Sequence, residues 1–430
     1  MKIIGRIESK QRQLQDRFAI YLGRVFEQVD GGENGKVVLT DNALLDINEP
    51  HMILICGKRG YGKSYTMGVL LEELLKQPIE VQRTLSVLIV DSMGVFWTLQ
   101  QPNRKLTPKD QEEWRVESRG FPVTVYYPYG LKDQYEQYSS FFHRGFKLYP
   151  SELEVTDWMY LVDIEESQAQ AGILVKLLTR IRKAYGGYFG MSELLNELQQ
   201  VDAPENIKGA LERRLTVAQA WGIFSDKGER IEDLLEPGRT TIIDLSGAGE
   251  LSWNVRTTLT AILLRKLYSR RTFHRNEEEL AKIFGENVEL QFPLIWFFLD
   301  EGHIFAPMEK HTPATEPLLE WVRQGRRPGL SLVMATQQPG ALDRRILAQC
   351  DTLIVHRLTA GNDSVAIAKK ISELHDAKSI SHYMRLLPKE PGYAVVLNDL
   401  TEEIVPVKIR PRQSWDGGGS AKLEEYVEYA

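Results

Sequence analysis

Short, almost wholly apolar runs recur along the chain at residues 52–56, 87–91, 123–127, 241–245, 294–300, 332–336, 353–356 and 394–397. They are rich in Val, Ile, Leu and aromatic residues and do not alternate with polar ones. Continuous runs of this length predict strands covered on both faces, as in a largely parallel sheet. The intervening segments carry apolar residues at helical spacing, so the expected class is α/β, with helices layered on a parallel sheet. In such a fold the ligand site lies beyond the carboxyl ends of the strands.

The alternation breaks once. No strand pattern occurs between residues 151 and 236. There Ile173, Leu174, Leu177, Leu178 and Ile181 fall at helical spacing, segments 191–198 and 207–220 continue in the same style, and Gly186-Gly187 marks a turn. The expected organisation is a reduced N-terminal β subdomain or arm at 1–48, the first part of an α/β core at 49–150, a helical insertion at 151–236, the second part of the core at 237–410, and a linker with a C-terminal tail at 411–430. Within the first segment, 18–25 and 36–40 predict strands about the turn-rich stretch 30–35. The last piece, 423–429, is acidic and weakly amphipathic. It reads either as a free tail or as a segment that docks on a neighbouring subunit.

The run at 52–56 leads directly into Gly57-Lys58-Arg59-Gly60-Tyr61-Gly62-Lys63-Ser64, and Tyr65 continues into a helical pattern. This is the phosphate-loop pattern G-x-x-x-x-G-K-[ST] in its required strand–loop–helix context. Glycines let successive N–H groups turn inward as an anion nest, and the helix N-terminus adds partial positive charge. Residues 57–65 therefore form the candidate nucleotide-binding set. Lys63 is expected to reach the β- and γ-phosphates, and Ser64 to ligate Mg²⁺.

The run at 294–299 ends in Asp300-Glu301. A carboxylate at that place in a phosphate-loop enzyme holds Mg²⁺, and a second can accept a proton from water. Asp300 is assigned to the metal and Glu301 to water activation. Taken alone, the pair would equally suit a helix cap or a solvated strand end. The next strand ends in Gln337, which either contacts the γ-phosphate and the attacking water or caps the sheet edge. Between these strands, Arg323, Arg326 and Arg327 supply planar bidentate donors. Arg326 is the first choice, and Arg323 the second, for a charge completing a hydrolysis site, in cis or from a neighbour. Surface salt bridges are the alternative.

These residues are similar to a known family. The ordered segments GKRGYGKS, TTIIDLSG, PLIWFFLDEGHIFAP and VRQGRRPGLSLVMATQQPGALDRRILAQCDTLIVHRL resemble the HerA/FtsK group of ring ATPases, and within it the HerA-like ATPases. The resemblance covers roughly residues 45–410. It implies a RecA-like core using ATP and Mg²⁺ and a homo-oligomeric, hexameric ring that translocates on or unwinds double-stranded DNA, coupled to a nuclease or other effector in DNA repair or anti-phage defence. The alternative is a hexameric scaffold that assembles and regulates a partner enzyme without moving along DNA; a protein-remodelling ATPase is a third reading. Two departures stand out. Few residues precede the first core strand where the family carries a fuller β-barrel, which bears on partner docking. Val95 stands where the family's D-x-x-G-E-[YF] segment has an acidic residue, although Asp91 and Gly94 remain.

Composition adds little about DNA. The net charge of −6 argues against a globally basic coat but leaves room for a local basic patch. Candidate nucleic-acid contacts are Lys176, Arg180 and Lys183, on one helical face, and Arg144 and Lys147, in the mixed aromatic and cationic stretch 142–147, which reads as a loop. Either set also suits a solvated basic face. The longest central apolar run is too short to cross a bilayer, and Lys2, Arg6, Glu8 and Lys10 interrupt any signal-like segment. With two isolated cysteines, the expectation is a reduced, cytoplasmic protein without membrane partners.

Overall fold

The computed structural model describes residues 1–28, 37–133, 135, 143–225, 227–228, 230–247, 253–358, 361–372 and 380–419. Among them the strands are β1 (Lys2–Ile4), β2 (Ala19–Gln28), β3 (Val37–Asp46), β4 (Met52–Cys56), β5 (Leu85–Asp91), β6 (Val123–Pro128), β7 (His143–Phe146), β8 (Thr240–Asp244), β9 (Leu294–Leu299), β10 (Leu330–Thr336), β11 (Thr352–Val355), β12 (Tyr393–Asn398) and β13 (Glu403–Ile409). They form one sheet in the order β1-β3-β2-β13-β12-β11-β4-β10-β9-β5-β8-β6-β7. From β11 through β7 every neighbouring pair is parallel.

The continuous apolar runs follow from this placement. Along β4, Ile53 and Ile55 point to one face and pack with Met67, Leu70, Leu71 and Leu74 of the helix Lys63–Leu75. Met52, Leu54 and Cys56 point to the other, into a core shared with the helix Trp253–Phe284 and the helical insertion. Both faces are covered, so neither register of the strand tolerates polar residues.

The insertion consists of the helices Val155–Leu161, Ala169–Tyr185, Met191–Gln199 and Glu205–Ala220. Leu174, Leu177, Leu178 and Ile181 are fully buried, as their spacing requires. The insertion is tied to the long helix by the Arg265–Asp157 ion pair and by Lys266–Glu152 at 2.9 Å.

Three features differ from the sequence expectations. The N-terminal residues do not stand apart from the core. The hairpin β2–β3 pairs through β2 with β13, so it extends the main sheet, and Arg6 beneath it donates to the buried Asp46 at 2.8 Å. Residues 143–146, expected as part of a loop, form the edge strand β7; one-sided pairing at an edge lets it carry Arg144 and Gly145. Residues 411–414, expected to begin the linker, are packed along the helix Lys63–Leu75. Arg412, Gln413 and Ser414 are buried there because the Glu72 carboxylate accepts from the Gln413 and Ser414 N–H groups at 3.1 and 2.9 Å. The tail at 423–429 and the turn at 30–35 lie outside the described residues.

Candidate nucleotide site

The carboxyl ends of β4, β10 and β9 lie side by side, with Thr336 opposite Cys56 and Met334 opposite Leu299. The phosphate loop leaves β4 and enters the helix Lys63–Leu75 through Gly62, whose φ of 110° is open only to glycine at low cost. Among the described residues no side-chain cap closes this helix N-terminus, whose N-cap is Gly62, and no acidic residue occupies its first turn. Its donors and its dipole therefore remain available to an anion.

Lys63 is buried, and its ammonium donates to the Lys58 carbonyl at 3.3 Å. Burial pushes its pKa down, while the carboxylates of Glu301 and Asp300 oppose that shift. Lys58 stacks its own ammonium over the Tyr61 ring at 4.4 Å. Arg59 is exposed. The Tyr65 side chain turns away to a structural task, its hydroxyl accepting from the Arg412 N–H at 2.6 Å.

Asp300 is 1% exposed. Burial, followed by the neighbouring Glu301 charge, raises its pKa to about 6, and the Ser64 side chain is close enough to lower it slightly. Glu301 adopts a left-handed backbone conformation, φ 52° and ψ 48°, at the sharp turn into the short helix Gly302–Phe305. Holding a non-glycine residue there costs free energy, which is typical of residues that must be aimed. One carboxylate oxygen accepts from the Gln337 amide. The other lies 3.5 Å from His303 Nδ1 and, among the described residues, accepts no hydrogen bond. His303 is held in turn by Thr336 Oγ1 at 3.0 Å, and burial lowers its pKa.

This donor set fits a magnesium–nucleotide complex. An uncapped helix N-terminus and Lys63 suit the phosphates, Ser64 and Asp300 form a hard-oxygen pair of the kind Mg²⁺ takes, and Glu301 keeps a buried oxygen without a donor. Lys63, Ser64, Asp300, Glu301 and Gln337 thus come together.

The arginines do not join them. Arg326 precedes β10, at the amino-terminal ends of the central strands and so at the opposite end from the loop, and donates to Asp351 at 2.8 Å. Burial alone would raise the Asp351 pKa, but hydrogen bonding and charge from His51, with the Met52 N–H, bring it down to about 2. Arg323 is exposed and lines a cavity of about 360 Å³ with Arg275, Arg326 and Arg327. Lys176, Arg180 and Lys183 share an exposed face of the helix Ala169–Tyr185, although Arg180 pairs with Glu197 at 2.7 Å. Arg144 lies 4.0 Å from Glu236, and Lys147 sits over the Tyr129 ring at 3.9 Å.

Sequence reasoning passed over His303 and Thr336, and it noted Asp91 without its structural task. His303, held by Thr336, lies beside the open Glu301 oxygen, and their proximity depends on the pairing of β9 with β10. Asp91 accepts from the N–H groups of Met93, Gly94 and Phe96 and so shapes the turn that carries Val95. Its pKa is raised to about 7 by burial and by Asp244, its partner in register on β8.

The family model described as "Helicase HerA, central domain" matches residues 32–267. The chain is 26% identical over 184 residues to the DNA double-strand break repair helicase HerA of Pyrococcus furiosus, covering 40% of this chain and 33% of that protein. It is 22% identical over 301 residues to the protein of the same name from Sulfurisphaera tokodaii, covering 65% and 57%. The chain therefore spans about a third to somewhat over half the length of these relatives. Among solved structures, VirB4 of Thermoanaerobacter pseudethanolicus superposes with a TM-score of 0.55 at 14% identity, covering 95% of this chain and 98% of that one. The plasmid coupling protein TrwB in complex with GDPNP gives 0.53 at 15% identity, covering 86% and 87%. The fold is thus that of the RecA-like P-loop ATPases, and by its matched central domain the chain belongs to the HerA helicase family.

Proposed function

We propose that this chain is the ATP-hydrolysing subunit of a homo-oligomeric, hexameric ring that moves along or unwinds double-stranded DNA. The reading rests on the convergence of Lys63, Ser64, Asp300, Glu301 and Gln337 at the carboxyl ends of three adjacent strands. The loop N–H groups and Lys63 bind and orient the triphosphate. Ser64 and Asp300 would hold Mg²⁺, which would supply charge neutralisation for the transferring phosphate. Glu301 accepts the proton of a water that attacks the γ-phosphorus, and Gln337 fixes that carboxylate and orients the water. Phosphate forms, and ADP carries away the electron pair of the broken bond. Arg326, at the opposite end of the strands from the loop, serves a neighbouring subunit's site, with Arg323 as second choice. Lys176, Arg180, Lys183, Arg144 and Lys147 are the candidate phosphate contacts for DNA. A nuclease or other effector is the proposed consumer of the motion.

The test is ATP turnover with and without double-stranded DNA, alongside a mass measurement of the assembly. DNA-stimulated hydrolysis by a particle of six subunits is expected. Absence of hydrolysis overturns the reading. DNA-insensitive hydrolysis, with a partner enzyme regulated equally well by a Glu301→Gln ring, would instead favour the scaffold. Among the described residues no helix is long and apolar enough to cross a membrane, and no membrane partner is proposed.

A further inference from the structure

A fully buried imidazole lies against the phosphate loop. His356 follows β11 directly, and its N–H donates to the Cys56 carbonyl at 2.8 Å as the last rung between β11 and β4. Its ring crosses to the loop helix. Nε2 lies 3.0 Å from Thr66 Oγ1, and Nδ1 lies 2.9 Å from the Tyr393 carbonyl oxygen. A carbonyl only accepts, so Nδ1 carries the proton and Nε2 accepts from the Thr66 hydroxyl. Burial, aided by the nearby Lys63 charge, pushes the His356 pKa down to about 4, so the ring is neutral at physiological pH.

The loop is fitted closely around this ring. A Cβ at Gly57 would come within 2.6 Å of His356 Cβ, and one at Gly62 within 3.4 Å of His356 Cε1. Those glycines stand at the two ends of the loop turn, so one residue spans it, with its backbone and Cβ against Gly57 and its ring against Gly62. Thr66 is itself fully buried, and its N–H closes the first helical turn on the Gly62 carbonyl at 2.8 Å. Two backbone bonds reinforce the arrangement: Lys58 N–H to the Arg357 carbonyl at 2.9 Å, and Gly392 N–H to the Tyr61 carbonyl at 3.4 Å.

We propose that His356 is a positioning residue of the nucleotide site, tying Thr66 and both ends of the phosphate loop to the Tyr393 backbone so that the loop is ordered before nucleotide arrives. The proposal rests on the nucleotide-binding reading above. A loop that must be ordered on binding loses affinity to conformational entropy, and pre-ordering removes that cost. The loop holds phosphates in the bound substrate and in the transition state alike. Loosening it should therefore raise KM and leave kcat nearly unchanged.

The test uses the full chain, mant-ATP with Mg²⁺ as the binding probe, steady-state turnover, and melting without nucleotide. Thr66→Val keeps the branched shape and removes only the hydroxyl; Thr66→Ser restores it; His356→Phe keeps a ring without nitrogens. For Thr66→Val we expect about tenfold weaker mant-ATP binding, the scale of one buried hydrogen bond. KM should rise by a similar factor, kcat should stay within about twofold, and the unliganded melt should move little. Thr66→Ser should bind as wild type, and adding Thr66→Val to His356→Phe should weaken binding no further. Unchanged binding by Thr66→Val, or a fall in kcat at constant KM, overturns the proposal even if His356→Phe fails to fold. A wild-type chain that binds no mant-ATP removes the nucleotide reading itself, and the proposal with it.

Discussion

Gln337 donates its side-chain amide to the Glu301 carboxylate, joining the ends of β10 and β9. The contact leaves one Glu301 oxygen free of donors and holds the other in place. A general base requires such an arrangement: fixed, desolvated and still able to accept. Glu301→Gln preserves the size and the left-handed turn but removes the proton acceptor. We expect nucleotide binding close to wild type, with single-turnover hydrolysis slowed on the order of 10²–10⁴-fold. Turnover within a few-fold of wild type would remove Glu301 from the role of base.

Lys63 is buried at the first position of the loop helix, and its ammonium rests on a loop carbonyl. That weak contact is readily exchanged for phosphate oxygens. Lys63→Ala should abolish measurable turnover while leaving the unliganded melting temperature nearly unchanged, because the side chain stabilises transferring charge and not the core. A folded Lys63→Ala chain that hydrolyses ATP at the wild-type rate would sink the phosphate-loop assignment.

The back of the same helix carries a different chemistry. Arg410 and Glu72 are both fully buried and paired at 2.8 Å, and Arg410 also reaches Glu73 at 2.8 Å. Arg410→Met removes the nearer cation and leaves buried Glu72 with Arg412 at 3.5 Å and its donors from Gln413 and Ser414. It should therefore destabilise the chain by somewhat less than the ~3–5 kcal/mol of a fully stranded buried charge, read by chemical denaturation. The acid response follows in sign. Burial alone would raise the Glu72 pKa, but Arg410 and Arg412 outweigh it and hold the carboxyl below its ordinary value. That stabilisation is present above the unfolded pKa, near 4.5, and is lost as pH falls through the lower folded value. Arg410→Met should therefore cost less stability near pH 3 than at pH 7. Equal losses at both would argue against the pair.

The parallel core was legible because its strands are buried on both faces, and apolar continuity then marks β4, β5, β8, β9 and β10 without any knowledge of their neighbours. The strand-end residues Asp300, Glu301 and Gln337 were legible for the same reason, since each ends such a run. What escaped depends on partners distant in sequence. β7 is an edge strand with only one covered side, so it lacks the pattern. Residues 411–414 look polar and read as linker, yet Glu72 supplies the acceptors that bury them. His356 sits in an apolar run and resembles its end; only the approach of Thr66 and Tyr393 gives it a task.

Arg326 gives the test of ring cooperation. Its guanidinium pairs with Asp351 at the amino-terminal ends of the central strands, opposite its own phosphate loop, so it does not serve that loop in this arrangement. Arg326 is the exposed member of the pair; the buried Asp351 keeps His51 Nδ1 at 3.0 Å and the Met52 N–H at 2.7 Å without it. Arg326→Ala should therefore fold normally. If the arginine completes a neighbour's site, the variant should lose turnover far more than nucleotide affinity, because its contact strengthens as charge develops on the transferring phosphate. Mixing Arg326→Ala with Glu301→Gln subunits then distinguishes the geometries. An Arg326→Ala subunit retains its base, and a Glu301→Gln neighbour retains its arginine, so some mixed interfaces regain a whole site. Activity should rise above both parents and peak near equal proportions. A strictly additive titration, or full activity in a monomer at high dilution, would leave Arg326 as no more than the partner of Asp351.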